Sequence, residues 1–598
     1  LKTTYETTTS LYQIQITGSP EETTMSEEKK LSHVEEIKIA SRGLRGDIAK
    51  TIADDTIEKF HDDDEQLTKF HGFYQGYNRD TATERKKAGL DKEWEMMLRA
   101  KLPGGRITAK QYLALDELAD EFANGTLRVT SRQGIQFHCV QKGDIHTLVH
   151  EINEAMLTTL GGCGDVVRNV MAVPSPLKIP AYQEIERTAQ IISDETLPKT
   201  TGYHEIFVEG KKYEPIKDET KDAVDPLYGT QWMPRKFKIA IAVPEDNTVD
   251  VLTNDVGLVA DYDEQGVKGY NIYIGGGFGM KHNNDKTYPR IATALGYVQA
   301  NEVVDACKAV VKFQRDHGDR GDRNHARLKY VIEEQGEDFA KEKIEEYFGK
   351  PIEPLKDLGK LEIKNHLGWY EQGDGNWYIG VPVTSGRIRD TYDTHRIRTA
   401  FREIAEIYDK PMIMMPTEDV IICDITEDEK DGVEQILRNQ NVELAEDHLP
   451  VELWAMSCVA LPTCGKALTE GERARVPIIA MVTETLKKHG LEQERMAVRI
   501  TGCPNGCSRP YAGDIGIVGR APNIYAMYVG GDFEGTRLNH KVADMVKIDQ
   551  LGNFLEPFFV AFKQERTNDN EGFGDFCERI GEDRRKELAA SSGAAKKL

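Results

Sequence analysis

Residues 98–140 read LRAKLPGGRITAKQYLALDELADEFANGTLRVTSRQGIQFHCV, and residues 379–425 read IGVPVTSGRIRDTYDTHRIRTAFREIAEIYDKPMIMMPTEDVIICDI. Gly105-Arg106-Ile107 matches Gly386-Arg387-Ile388, and Glu117-Leu118-Ala119-Asp120 matches Glu403-Ile404-Ala405-Glu406. Each stretch reads as strand, turn, helix, strand. In the first, Tyr112, Leu115, Leu118, Ala119 and Phe122 recur at helical spacing, and Asn124-Gly125 marks a helix stop. Two such copies side by side make one pseudo-symmetric α+β unit. The strand read over 127–132 puts Arg128, Thr130 and Arg132 on one face, where the aligned second copy has Met414, Pro416 and Glu418. That difference points to an anionic group lying on one side only, or else to a solvated charged face.

Around this repeat the chain has 598 residues, with 77 Lys and Arg against 100 Asp and Glu, a net charge of -23. So acidic a chain is a poor match for nucleic acid or an anionic membrane surface as main partner. No apolar run approaches the ~20 residues that a membrane span needs. Nine cysteines, without a secretory leader, argue for reduced thiols or metal ligands and a cytoplasmic location. Residues 1–30 are Thr-, Glu- and Ser-rich and are expected to be a disordered extension, with Met25 a candidate start. Residues 583–598 are expected to form a disordered tail.

Four cysteines fall in two tight pairs, Cys458 with Cys464 (C-x5-C) and Cys503 with Cys507 (C-x3-C). Four thiolates complete the protein ligation of one [4Fe–4S] cluster. The x5 spacing is longer than the usual zinc knuckle, although zinc or unrelated buried thiols remain alternatives on spacing alone. Pro504, Asn505 and Gly506 are turn formers able to wrap backbone amides around sulfide.

Local basic residues in an acidic chain need a reason, either an anion or, for the run from Arg315, an ion-paired surface. In Met233-Pro234-Arg235-Lys236-Phe237-Lys238, strand alternation sends Lys236 and Lys238 to one face. Two ammonium groups there repel unless an anion lies between them. Arg99 and Lys101 alternate likewise, Arg168 stands alone among apolar residues, and a further run from Arg315 through Arg320 and Arg323 leads to Arg327 and Lys329. Gly275-Gly276-Gly277 does not fit a dinucleotide fingerprint and reads as a tight turn near a cofactor. Cys163, five residues before Arg168, is a further candidate neighbour of the site.

Taken together, Leu98-Arg99, Leu102-Pro103-Gly104-Gly105, Thr130-Ser131-Arg132-Gln133, Gln136-Phe137-His138, Arg168-Asn169-Val170, the 234–238 run, the glycine triplet and Thr501–Cys507 resemble the siroheme-dependent sulfite and nitrite reductases. The likeness spans about 71–576 and is nearest the hemoprotein branch of the NADPH-type sulfite reductases. It implies a three-domain α+β nitrite/sulfite reductase-like architecture with an internal pseudo-two-fold repeat. The expected division is an arm at 31–95 for partner docking, repeat halves at 96–160 and 365–425 forming a central domain, a siroheme- and substrate-binding domain at 161–364, and a cluster domain at 426–582.

The resemblance also assigns residues. Cys458, Cys464, Cys503 and Cys507 would hold the [4Fe–4S] cluster, with Cys507 also the proximal ligand of the siroheme iron. Arg128, Arg132, His138, Arg235, Arg315, Arg320, Arg323, Lys329 and Asn505 would hold the carboxylate-rich siroheme. Arg99, Arg168, Lys236 and Lys238 would bind sulfite and relay protons. The implied reaction is assimilatory six-electron reduction of sulfite to sulfide, with a ferredoxin-dependent nitrite reductase as the alternative. Electrons would come from a separate flavoprotein subunit or a ferredoxin, because the chain carries no flavin or NADPH fingerprint.

Overall fold

The computed structural model describes residues 30–200, 202–203, 207–208, 211–212, 224–392 and 394–595. The expected extension at 1–30 lies, but for its last residue, outside them. An N-terminal helix α1 (His33–Ala40) precedes two halves built to one plan. The first half runs β1 (Phe73–Tyr77), β2 (Trp94–Ala100), β3 (Arg106–Ile107), α2 (Ala109–Phe122), β4 (Leu127–Val129) and β5 (Ile135–Val140). It continues with β6 (Met171–Ala172), α3 (Pro180–Glu195), β7 (Ile239–Ala242), β8 (Val256–Asp263), β9 (Gly266–Ile274), β10 (Thr293–Gln299), α4 (Val303–His317), α5 (Leu328–Gln335) and α6 (Glu337–Phe348). The second half repeats the order: β11 (Gly368–Glu371), β12 (Trp377–Val381), β13 (Arg387–Ile388), α7 (Ile397–Tyr408), β14 (Met412–Met414) and β15 (Val420–Ile425). It then has β16 (Met456–Ser457), α8 (Glu472–His489), β17 (Val498–Thr501), β18 (Ile515–Ala521), β19 (Ile524–Val529), β20 (His540–Lys547), α9 (Leu551–Glu565), α10 (Phe573–Arg579) and α11 (Gly581–Ser591).

The repeat expected from the sequence is the core of the molecule. One sheet has the order β1-β2-β5-β4-β13 and its twin β11-β12-β15-β14-β3, so each half lends a two-residue strand to the other. Helix α2 starts at a capping box in which Thr108 and Gln111 satisfy each other's backbone N–H. It buries Tyr112, Leu115, Leu118 and Ala119 at the expected spacing. Across the pseudo-dyad Tyr112 meets Phe401 edge-on at 6.2 Å, and the buried carboxylate of Asp116 takes the guanidiniums of Arg398 and Arg402 from α7.

The strand expected over 127–132 stops at Val129, and 130–134 turns back with Gln133 at φ 57°. Arg132 therefore leaves the face that Arg128 occupies. The second copy turns at the same place, with Glu418 at φ 77°, so Glu418 answers to Gln133 rather than to Arg132. A left-handed residue fixes the register where composition misplaced it by one.

The duplication extends further than the sequence showed. β6, β7 and β8 are parallel, and β9 and β10 complete their sheet antiparallel; β16 to β20 do the same. The helix pair α4 and α6 packs over the first of these sheets as α9 and α11 pack over the second. Helix α11 corrects the expected tail: residues 581–591 are helical, with Leu588 and Ala589 buried and Arg585 Nη1 donating to the Cys577 carbonyl at 2.7 Å. The apolar face is only two residues wide, too narrow to read as amphipathic, and tertiary contact with α9 and α10 supplies the rest. Among the described residues no helix is long and apolar enough to cross a membrane.

Candidate cofactor and substrate site

The site forms where the two five-stranded parallel–antiparallel sheets face each other with their connecting loops. Cys458 directly follows β16 and its N–H donates to Ile500 O at 3.1 Å, which fixes the first cysteine against β17. Cys503 and Cys507 lie in the loop that leaves β17. The N–H of Gly502 donates to Cys458 Sγ at 3.2 Å, and a Cβ on Gly502 would stand 2.6 Å from that of Ala460, so only glycine lets the two cysteine loops close. Tyr511 Oη donates to Pro504 O at 3.0 Å and braces the second loop.

Burial pushes the Cys458 thiol well up, and the Cys507, Cys464 and Cys503 thiolates around it oppose its ionisation as well. Cys503 is pushed up to about 12, by burial first and by Cys507 next, and Cys464 is raised for the same reasons. Three such thiols become thiolates together only with positive charge among them, which is what an iron–sulfur core supplies. Among the described residues no three His, Cys, Asp or Glu side chains converge as a single ion requires.

Facing this loop is a cavity of about 360 Å³ lined by Arg235, Lys236, Lys281, Arg323, Arg327, Lys466, Cys503 and Asn505, among others. Its cations are set by backbone. Phe237, fully buried, donates its N–H to Val166 O at 3.0 Å and accepts from Arg168 N at 2.9 Å, which turns Lys236 and Lys238 to the opposite side. Both lysines are held well below the ordinary range by burial, and then by neighbouring cations: Lys238, Arg235, Arg327 and Arg168 against Lys236, and Arg132 and Arg327 against Lys238. Arg99 reaches the same region, with Nη1 3.2 Å from Cys163 Sγ and from Gly162 O. Arg168 Nη2 donates to Tyr74 Oη at 3.3 Å. The loops of the two halves interlock here, since Met280 N donates to Pro504 O at 3.1 Å.

Not every expected cofactor residue faces the cavity. Arg128 is buried, and its donors go to Glu418, Glu472, Ser457 O and Val129 O. His138 accepts from Arg387 through Nδ1 at 2.9 Å, and burial holds it neutral, with Arg387 and Arg128 adding to that effect. Arg315 is paired with Asp316 and Leu227 O, and Arg320 with Glu35 and three carbonyls. Lys329 Nζ donates to Gly277 O and Gly279 O at 3.1 Å each, clamping the glycine turn. Arg132 donates to Asn169 O and Asn254 Oδ1 and is lowered to about 9 by burial. The sequence placed Arg327, whose guanidinium meets Asp255 at 2.9 Å, in a basic run without giving it a role, and it gave no notice of Lys281 or of Lys466, two residues past Cys464, on the cavity wall. Its position beside a cysteine pair was the available signal for Lys466.

A chain with this geometry has known relatives. A family model described as the nitrite/sulfite reductase ferredoxin-like half domain matches residues 91–155, and one described as the nitrite and sulphite reductase 4Fe-4S domain matches 188–352. A sulfite reductase [ferredoxin] of Synechococcus elongatus is 40% identical over 94% of this chain and 92% of its own length. The chain belongs to the nitrite and sulfite reductase family. A sulfite reductase [NADPH] hemoprotein beta-component of Myxococcus xanthus is 39% identical over 92% of this chain and 97% of its own. In fold, the solved Mycobacterium tuberculosis NirA protein superposes with a TM-score of 0.73 at 22% identity, covering 93% of this chain and 97% of that one. The family's cofactors are siroheme and a [4Fe–4S] cluster, and the thiols and cations described above fit both. The 188–352 match includes one cysteine, Cys307 in α4; the four paired cysteines lie in loops that follow β16 and β17 of the duplicated sheet.

Proposed function

We propose that this chain reduces sulfite to sulfide, with siroheme next to a [4Fe–4S] cluster and Cys507 shared between them. The observation that carries the reading is the meeting of a four-thiol loop pair with a cavity wall of clustered cations that outnumber the carboxylates facing them. When bound, the siroheme and cluster would supply the electrons, one at a time. The protein's part is charge and protons. Arg99, Arg168, Lys236 and Lys238 bind the sulfite oxyanion, and the lysines, lowered by burial and mutual repulsion, give up protons as oxygen leaves. Arg235, Arg323, Arg327 and Asn505 hold the siroheme carboxylates and the loop that meets them, with Arg132 placed behind them. Arg128, His138, Arg315, Arg320 and Lys329 support these from behind.

In this reading residues 161–364 serve siroheme and substrate, 426–591 serve the cluster, and the paired halves at 96–160 and 365–425 join them. The electron donor is a separate protein, a ferredoxin or a flavoprotein reductase, in keeping with the names of relatives of both kinds. The enzyme works in the cytoplasm. Turnover of sulfite and nitrite, measured side by side with reduced viologen as donor, tests the reading: higher kcat/KM for sulfite with sulfide as product supports it, and preference for nitrite with ammonia as product overturns the substrate assignment.

A further inference from the structure

Helix α1 sends two charges into the protein. Of its eight residues, Glu35, Ile37 and Lys38 form the buried face, and Glu35 and Lys38 are 0% and 1% exposed. The Lys38 ammonium pairs with Glu35, donates to Met233 O at 2.8 Å and stands 3.8 Å from Asp165. Glu35 also takes Arg320, which in turn donates to the carbonyls of Gln231 and Trp232, while Ser32 N donates to Arg320 O at 2.9 Å. Asp165 binds Arg323 at 2.8 Å and lies 3.7 Å from Arg235. Despite burial, these cations hold the Asp165 carboxyl well below its usual range.

Desolvating a buried ion pair costs several kcal/mol per ion, and two apolar side chains would pack α1 as well. The charges therefore need another reason. Among the described residues the carboxylate partners of Lys38, Arg235, Arg320 and Arg323 in this cluster are Glu35 and Asp165, two for four cations, and Arg235 and Arg323 are the two that line the cavity. We propose that Glu35 and Lys38 are positioning residues for the anionic cofactor: from the N-terminal arm they tie the 231–238 loop to the 315–323 segment, so that Arg235 and Arg323 are presented to the cavity. This rests on the siroheme reading above. It gives the arm, expected from the sequence to dock a partner, a role inside the site.

The test uses purified holoenzyme as wild type, E35Q, K38M and the charge-free double variant E35Q/K38M, reading siroheme dissociation by absorbance, cluster content by EPR, and Tm. The single variants each strand a buried charge and should lower Tm and release siroheme faster at unchanged cluster content. In the double variant Tm should recover, while siroheme is still lost about 10–100-fold faster than from wild type, the usual cost of removing an outer partner. Recovery of both Tm and siroheme retention in the double variant would show that the pair only fills space and overturn the proposal. If the single variants do not fold, the double variant decides alone. A wild-type protein that binds no siroheme would instead overturn the reading on which the proposal rests.

Discussion

The sheet β6–β10 and the sheet β16–β20 are the same structure put to different uses. Ile239 begins a strand sixteen residues before Asp255, and Val498 begins one sixteen residues before Asp514. In each, the aspartate Oδ2 accepts from the residue before the strand, Lys238 at 2.9 Å or Ala497 at 2.8 Å. In each, the residue directly after the edge strand donates its N–H to the neighbouring strand: Val173 N to Ile241 O and Cys458 N to Ile500 O, both at 3.1 Å. The scaffold is therefore held constant while the loop residues diverge. Where the second sheet has Cys458, Cys503 and Cys507, equal spacing puts Val173, Pro244 and Thr248 in the first; where the first has Lys236 and Lys238, the second has Arg495 and Ala497. One copy kept the soft ligands and the other the cations, and the cavity between them needs both.

The largest effect expected from breaking this division is at Cys507. Cys507→Ser should remove siroheme and cluster together and abolish sulfite turnover, a loss beyond the roughly 100-fold that an outer-shell change costs; iron content and activity at wild-type level would refute the assignment. Next come the cations of the first sheet. Lys236→Ala and Arg168→Ala should leave the visible spectrum intact and lower kcat for sulfite by about 10²–10⁴-fold, as steady-state kinetics on siroheme-loaded protein would show.

The paired aspartates sharpen the comparison further. Asp255 is matched by Arg327, whereas among the described residues the Asp514 carboxylate accepts from Ala497 N and Gly574 N with no cation, and burial raises it to about 7. A carboxyl raised in the folded state binds a proton that the unfolded chain has already released, so its contribution to stability falls as pH rises from about 4 to 7. Asp514→Asn should remove that slope, which amounts to about 4 kcal/mol at most. Tm measured from pH 5 to 8 on both proteins decides; identical slopes would show that Asp514 is ionised throughout. Smallest is Leu588→Ala on α11, expected to cost about 2 kcal/mol in urea unfolding with cluster content unchanged.

The sequence disclosed the central repeat because it carries plain signals: a Gly-Arg-Ile at 105 and again at 386, an apolar stripe through Leu115 and Leu118, a glycine at 125. It did not disclose the second repeat. There the two copies share little beyond Asp255 with Asp514 and Gly257 with Gly516, and buried strands of Ile, Val and Ala look alike in any sheet. The cysteines were legible because thiolates at close spacing have few other uses. The cations were half legible: charge marks a residue as needing an anion but not whether a protein carboxylate already provides it, which is why Arg128 and Arg320 proved to be committed elsewhere. Glu35 and Lys38 were hidden, since an ion pair three residues apart on a short helix normally belongs to its wet side.

The exchange of β3 and β13 between the central sheets bears on how such a molecule can change over time. Each copy finishes its twin's sheet, and a copy on its own would leave the edge of β4 or β14 open to wrong partners. Neither can be lost or inherited alone. A duplicate that can never be separated from its sibling is free to give up whatever the sibling retains, and the bare loop at Val173, Pro244 and Thr248 is what that freedom leaves behind.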